Sequence, residues 1–461
     1  MDVSVIGAGY VGLTTAACLA EIGHNVLCSD NDLGKLDLLR QGQMPFFEPY
    51  LAEIVERNRI SGRLQYRNVD DVVRQGQAIL ICVGTPPLPN GEADLSAIEA
   101  VARTIIRHAH GYRLVIEKST VPVQTAQRLR QCLSTYNTNN LEWDVVSNPE
   151  FLREGSAVED FFHPDRIVVG TDSAKAIELM RELYRPLLER TIQCPVHDQC
   201  NHQQAVRFLG TDTNSAELIK HASNSFLAMK ISFINMVADL CEAAGANIEA
   251  VAEGIGLDRR IGPAFLRPGI GFGGFCFPKD LQAFVRIAEN FGCDFSLLKE
   301  VERINHKRLD RFVAKVQDEL WVLRGKTIAV WGLAFKPDTD DIRFSPAMAI
   351  VRRLLAAGAS VRAYDPQSME RAKHEVPEII FCDSLYEAAE EADAILVLTE
   401  WEEFRNADWG RLFSMVSRPI VLDGRNCLSA SCVRAEGFQY IGVGDLPSSP
   451  YLPSGKAIAA D

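Results

Sequence analysis

Two stretches far apart in this chain repeat one pattern. Near the start, Val3-Ser4-Val5-Ile6-Gly7 is followed by Val26-Leu27-Cys28-Ser29-Asp30. Near the end, Ile328-Ala329-Val330-Trp331-Gly332 is followed by Val361-Arg362-Ala363-Tyr364-Asp365. In each case a short apolar run meets a glycine, and after a helix-length interval a second run ends on an aspartate. Strands that alternate with helical intervals fold into mostly parallel sheets with helices on both faces. The repeat therefore predicts an α/β protein with two Rossmann-like, doubly wound domains.

Further apolar runs fill out both copies. In the first, Ala78–Val83, Leu114–Glu117, Val145–Ser147 and Ile167–Val169 read as strands, and this zone is expected to cover residues 1–204. In the second, Lys326–Trp331, Ser360–Tyr364, Ala394–Thr399 and Ile420–Asp423 read as strands and Ala347–Ala357 as a helix, within 312–461. Between them, 205–311 reads as a central helical connector. The stretch from Thr213 to Gly245 holds no Pro or Gly before its end, which suggests a long connecting or dimer-forming helix. The Pro/Ser-rich tail after about Gly444 is expected to be mobile.

Composition removes several classes of function. A net charge of −13 argues against a nucleic-acid surface, which needs clustered Lys and Arg. No run approaches the roughly 18 apolar residues of a membrane span. Met1-Asp2-Val3 enters a strand without a basic leader, so no signal peptide is expected. The 12 cysteines include no CxxC pair and fit a reducing cytoplasm better than a secreted disulfide framework. Cys194 and Cys200 flank His197, and His202 follows. This cluster lacks the spacing of structural zinc sites, so no metal is expected.

Gly7-Ala8-Gly9-Tyr10-Val11-Gly12 is a G-x-G-x-x-G that follows a strand and opens a helix, with Asp30 closing the next strand. In that context the glycines let backbone N–H groups approach a pyrophosphate. Asp30 would accept hydrogen bonds from ribose hydroxyls and repel a 2′-phosphate, which favours NAD over NADP. Val83-Gly84-Thr85-Pro86-Pro87 and Glu117-Lys118-Ser119-Thr120-Val121-Pro122 lie at strand ends, where open α/β sheets bind ligands.

Gly271-Phe272-Gly273-Gly274-Phe275-Cys276-Phe277-Pro278-Lys279-Asp280 sets a thiol beside a glycine-rich loop. A nearby ammonium favours the reactive thiolate. Against this stands the ordinary role of cysteine as a small buried residue.

Taken with Asn148-Pro149-Glu150-Phe151-Leu152-Arg153-Glu154-Gly155, Glu217-Leu218-Ile219-Lys220, Gly332-Leu333-Ala334-Phe335-Lys336 and Asp423-Gly424-Arg425, these motifs resemble the UDP-glucose/GDP-mannose dehydrogenase family. The resemblance spans nearly the whole chain and is strongest to the branch that acts on UDP-glucose. It implies two successive NAD⁺-dependent oxidations at one site, with UDP-glucuronate as product. Cys276 would be the nucleophile. Lys220 and Asn224, four apart on one helix face, would bind the reacting oxygen. Asp280 and Thr120 would position a water for proton transfer, and Glu150 would be the base for hydrolysis of the thioester.

For the cofactor the resemblance adds Lys35, Thr85, Pro86, Ser119, Thr120, Glu154, Lys279 and Arg343. For the sugar nucleotide it points to Glu150, Phe151, Leu152, Arg153 and Glu154, with Lys220 and Asn224. The loop would contribute Phe265, Leu266, Arg267, Gly269, Phe272 and Gly273. Phe335, Lys336 and Arg425 would add contacts from the last domain, and Arg260 from a neighbouring subunit of a homodimer. Phe275 departs from the small or polar residue common at that position. Two alternatives stay open: another nucleotide sugar as substrate, and a catalytically silent NAD-binding scaffold.

Overall fold

The computed structural model describes residues 1–89, 91–138, 140–197, 200 and 205–445. The chain packs into two compact units. The first comprises Met1–Ser225 and Lys279–Phe295; the second comprises Phe226–Pro278 and the chain from Ser296 onward.

The first unit carries an eight-stranded sheet. Its strands are β1 (Asp2–Ile6), β2 (Asn25–Ser29), β3 (Leu64–Tyr66), β4 (Ala78–Ile81), β5 (Tyr112–Glu117), β6 (Glu142–Ser147), β7 (Arg166–Gly170) and β8 (Arg207–Thr211). They are ordered β3-β2-β1-β4-β5-β6-β7-β8, and only the β6–β7 pair is antiparallel. Strand order reverses between β1 and β4, the crevice where sheets of this type hold a dinucleotide.

Both faces of this sheet are covered, which explains its unbroken apolar runs. β4 shows how one strand serves two cores. Ala78 and Leu80 pack into one, while Ile79 and Ile81 pack into the other, with all four fully buried. Burial of each large side chain is worth about 1.5–3 kcal/mol.

The second unit has a six-stranded parallel sheet. Its strands are β9 (Thr327–Trp331), β10 (Ser360–Tyr364), β11 (Ile380–Phe381), β12 (Ala394–Val397), β13 (Ile420–Asp423) and β14 (Gln439–Gly442). The order β11-β10-β9-β12-β13-β14 repeats that of the first six strands of the other sheet. Here too the faces alternate. Ile328 and Val330 enter one core, and Ala329 and Trp331 enter the other.

Along the chain the two sheets are separated by helices Thr213–Ala244, Ile248–Gly256, Cys276–Asn290 and Ser296–Leu320. The first of these has 32 residues and is about 48 Å long. The first sheet runs past residue 204 to include β8, and position 311/312 falls inside helix Ser296–Leu320. The tail expected to be mobile lies, from residue 446, outside the described residues. Among the described residues no helix is long and apolar enough to cross a membrane.

Candidate active site

The glycine motif of the first unit is built by steric necessity. Gly7 has φ +102°, and a Cβ there would sit 2.4 Å from the Cys82 carbonyl oxygen. A Cβ on Gly12 would meet the Gly7 carbonyl oxygen at 1.8 Å, so this glycine lets helix Tyr10–Glu21 press against its strand. Gly9 differs: a Cβ there would meet nothing within 4 Å. That open backbone at the helix N-terminus fits a pyrophosphate, whose charge the helix dipole favours.

Asp30 follows β2 with its side chain 7% exposed. Its Oδ2 accepts from the Ala8 N–H at 2.7 Å and pairs with Lys35 Nζ at 3.1 Å. The carboxylate is thus fixed beside the glycine turn. Tyr10 is differently used. Its hydroxyl donates to Glu48 and accepts from the Gly155 N–H at 2.9 Å. Glu48, which the sequence did not mark, is buried and accepts from the Gly155 and Ala157 N–H groups at 2.6 and 2.7 Å. It ties the motif's helix to the start of helix Ala157–Phe162. The Thr85 hydroxyl donates to the Thr120 carbonyl at 2.8 Å, and Ser119 donates to the Val83 carbonyl at 2.8 Å. These hydroxyls lace the loops after β4 and β5 together.

The buried charges lie nearby in the same unit. Lys220 Nζ is 3.0 Å from Glu150 Oε1, and Glu150 Oε2 accepts from the Leu152 N–H at 2.5 Å. The Lys220 ammonium also stands 5.4 Å from the centre of the Phe151 ring. Asn224, one turn further along the helix, donates to Asp280 Oδ2 at 2.7 Å. Lys279 Nζ is 3.1 Å from the other carboxylate oxygen. Burial pushes the Asp280 carboxyl up, but Lys279, Lys220 and His221 together hold it below the usual range. His221, whose ring is stacked on Phe284, is pushed down by burial. Arg153 turns outward and pairs with Asp160 at 2.6 Å.

In the second unit the glycine-rich loop is held by two asparagines that the sequence left unmarked and by Arg425, which it had marked. Asn235 accepts from the Gly269 N–H at 2.9 Å. Asn305 accepts from the Phe272 N–H at 2.9 Å and donates to the Phe272 carbonyl at 3.0 Å. Arg425 donates to the carbonyls of Gly271, Phe335 and Leu398 at 2.8–3.0 Å. A Cβ on Gly273 would strike the Phe344 carbonyl at 2.3 Å, and one on Gly274 the Phe335 ring at 2.7 Å. Phe265 is held at φ +64°, a costly conformation for a bulky residue. Phe275 takes the Arg343 guanidinium over its ring at 4.5 Å, while Arg343 grips Asp341 at 2.7 Å. Lys336 lies over Phe335, and Arg260 is exposed and paired with Asp258. Cys276 is partly buried and is the first residue of helix Cys276–Asn290.

The second sheet repeats the aspartate but not its use. Asp365 is fully buried, and its Oδ2 accepts from Leu333 N–H, Ala334 N–H and Trp401 Nε1–H at 2.7–3.2 Å. A carboxylate so enclosed has no oxygen left for a ribose.

Three models of the UDP-glucose/GDP-mannose dehydrogenase family match in order: the NAD binding domain over residues 1–188, the central domain over 214–307 and the UDP binding domain over 329–430. The chain belongs to the UDP-glucose/GDP-mannose dehydrogenase family. Within it, UDP-glucose 6-dehydrogenase YwqF of Bacillus subtilis (strain 168) is 42% identical over 457 residues, covering 99% of each chain. The UDP-glucose 6-dehydrogenase of Rhizobium meliloti (strain 1021) is 44% identical, covering 96% of this chain and 99% of that one. Among solved structures, a UDP-glucose dehydrogenase from the archaeon Pyrobaculum islandicum is 36% identical with TM-score 0.86, covering 96% of this chain and 98% of that one. A UDP-D-ManNAc dehydrogenase from Pyrococcus horikoshii is 28% identical with TM-score 0.81, covering 96% and 99%. The family's NAD binding domain contains the open Gly9 turn and Asp30, and its UDP binding domain contains the enclosed Asp365.

Proposed function

We propose that this enzyme oxidises UDP-glucose to UDP-glucuronate, with two NAD⁺ reduced per sugar. The observation that carries the reading is the full-length similarity to UDP-glucose 6-dehydrogenases, together with the buried Lys220–Glu150 pair beside Asn224 and Asp280. Bound NAD⁺ supplies the hydride acceptor for both oxidations. Gly7, Gly9, Gly12, Asp30 and Lys35 would hold it, with the loops bearing Thr85, Pro86, Ser119 and Thr120.

The chain's own groups would act in sequence. Lys220 and Asn224 bind the C6 oxygen, where a cation in a dry site stabilises developing negative charge. In the first oxidation the C6 carbon would give up a hydride to the bound cofactor, and the C6 hydroxyl its proton to the water held by Asp280 and Thr120. The Cys276 thiolate then adds to the aldehyde carbon. The resulting oxyanion, facing Lys220, takes a proton to leave a covalently bound thiohemiacetal. After the second oxidation leaves a thioester, Glu150 takes a proton from water as its oxygen attacks the carbonyl. The C–S bond then breaks, giving the carboxylate and the free thiolate. Asp280 and Thr120 would position a separate water, the one that takes part in proton transfer during the oxidations. The loop residues Phe265, Leu266, Gly269, Phe272 and Gly273 would enclose the sugar nucleotide, with Phe335, Lys336 and Arg425.

A homodimer in the cytoplasm is part of this reading. Phe226, Phe233 and Leu240 are exposed at seven-residue spacing along the long helix, a stripe suited to a partner helix. None of the 12 cysteines is paired in a disulfide. Light scattering of the purified protein tests the dimer.

The enzyme assay counts NADH formed per UDP-glucose consumed. Two per sugar, with Cys276→Ser unable to turn over, supports the scheme. One per sugar would rule out the covalent thioester. No NADH with UDP-glucose, but turnover of another nucleotide sugar, would reassign the substrate.

A further inference from the structure

Apart from the groups assigned above, four metal-ligating side chains of the first unit converge. His163, Cys194, His197 and Cys200 each present one ligand atom, and these atoms all lie within 4.8 Å of one another. His163 Nε2 is 3.1 Å from Cys194 Sγ and 3.5 Å from Cys200 Sγ. His197 Nδ1 is 3.5 Å from Cys194 Sγ. Around a tetrahedral zinc ion, with Zn–S about 2.3 Å and Zn–N about 2.0 Å, sulfur and nitrogen stand about 3.5 Å apart. Two of the three pairs, His163–Cys200 and His197–Cys194, stand at that edge length, and the third, His163–Cys194, is somewhat shorter.

The surroundings fit the same ion. His197 Nε2, the nitrogen away from the sulfur, lies 3.6 Å from Glu159 Oε1. A carboxylate on the outer nitrogen fixes the tautomer and orientation of a metal-bound imidazole. The His197 backbone N–H donates to Cys194 Sγ at 3.3 Å, which offsets thiolate charge. We propose that these four side chains bind one zinc ion. Two thiolates and two imidazoles form a set that zinc prefers among common divalent ions, and four protein ligands leave no position open for chemistry. The site is structural.

Its position says what it would hold. His163 caps the C-terminal end of helix Ala157–Phe162, whose N-terminal N–H groups rest on Glu48. The other three ligands lie on the connection between helix Ala174–Leu188 and β8. Among its described residues that connection has no helix or strand. Zinc would clasp it to the helix that follows the Glu150–Gly155 segment. The linear sequence concealed the set because His163 stands 31 residues before Cys194. His202, the histidine adjacent in sequence, lies outside the described residues.

The test uses the full chain, reduced and freed of metal by dialysis against a chelator. Zinc is titrated against a chromophoric chelator, and alkylation of each cysteine is mapped by mass spectrometry with and without zinc. The expected result is one zinc per chain, protection of Cys194 and Cys200 only, and loss of uptake in the Cys194→Ser/Cys200→Ser double variant. Glu159→Gln, which removes no ligand, should weaken binding roughly tenfold. Cobalt(II) in place of zinc should give the intense visible bands of a tetrahedral thiolate site. Absence of stoichiometric uptake by the reduced protein, or equal alkylation of both thiols with and without zinc, overturns the proposal. So does a Cys194–Cys200 disulfide recovered from cells quenched in acid.

Discussion

The Lys220 ammonium sits 3.0 Å from the Glu150 carboxylate, and both side chains are 4% exposed. Removing one partner of such a pair strands a buried charge, at a cost of about 3–5 kcal/mol. Lys220→Ala and Glu150→Ala should each destabilise the fold by about that much and abolish turnover. The Lys220→Met/Glu150→Leu double variant should recover most of the stability and none of the activity. Urea denaturation of the four proteins, alongside NADH assays, checks both halves.

Glu217 accepts from the Gln124 and Ala126 N–H groups at 2.7 and 2.8 Å, yet burial pushes its carboxyl from 4.5 up to about 7. The folded state therefore binds the proton more tightly than the unfolded chain. Stability from this group is full below pH 4.5 and declines as pH rises to about 7. At ~1.36 kcal/mol per pH unit the change is at most about 3 kcal/mol. Glu217→Gln cannot titrate, so the stability difference between wild type and variant should shift against the wild type across that window. Denaturation curves at several pH values measure it.

Asp30 is held by the Ala8 N–H and by Lys35. Asp30→Asn keeps an acceptor for the amide but removes the charge that repels a 2′-phosphate. The ratio of kcat/KM for NADP to that for NAD should rise about tenfold or more, the value of roughly 1.4 kcal/mol. Steady-state kinetics with both cofactors gives the answer.

The Arg343 guanidinium over Phe275 should contribute about 0.5–1 kcal/mol. A double-mutant cycle of Phe275→Ser and Arg343→Ala should show a coupling of that size in thermal or urea unfolding. No coupling would leave the unusual bulk at position 275 without a partner.

Much of this architecture was legible in the sequence, and the misses have physical causes. β1, β4, β9 and β12 are central strands buried on both faces, so their apolar runs stand out. β3 and β11 have three and two residues, too few to show a period. β8 is an edge strand with largely exposed residues, and β14 begins on Gln439 and ends on Gly442. The helical spacing of Lys220 and Asn224 was readable, but their partners were not. Glu150 and Asp280 come from distant segments, and only the fold pairs the first with Lys220 and the second with Asn224. Glu48 and Asn305 act by holding backbone N–H groups, a role that carries no local pattern.

The aromatic packing behind the second sheet has an optical corollary. Trp331, Trp401 and Trp409 are buried in the second unit, and Trp321 of that unit is 90% exposed. The first unit has only Trp143, which is partly buried. Intrinsic fluorescence of the whole chain is therefore dominated by one half of it. When cofactor-linked or metal-linked signals and tryptophan emission are followed in the same melt, they report on separate units. Coincident curves mean that the two Rossmann units unfold as one, and split curves show which gives way first.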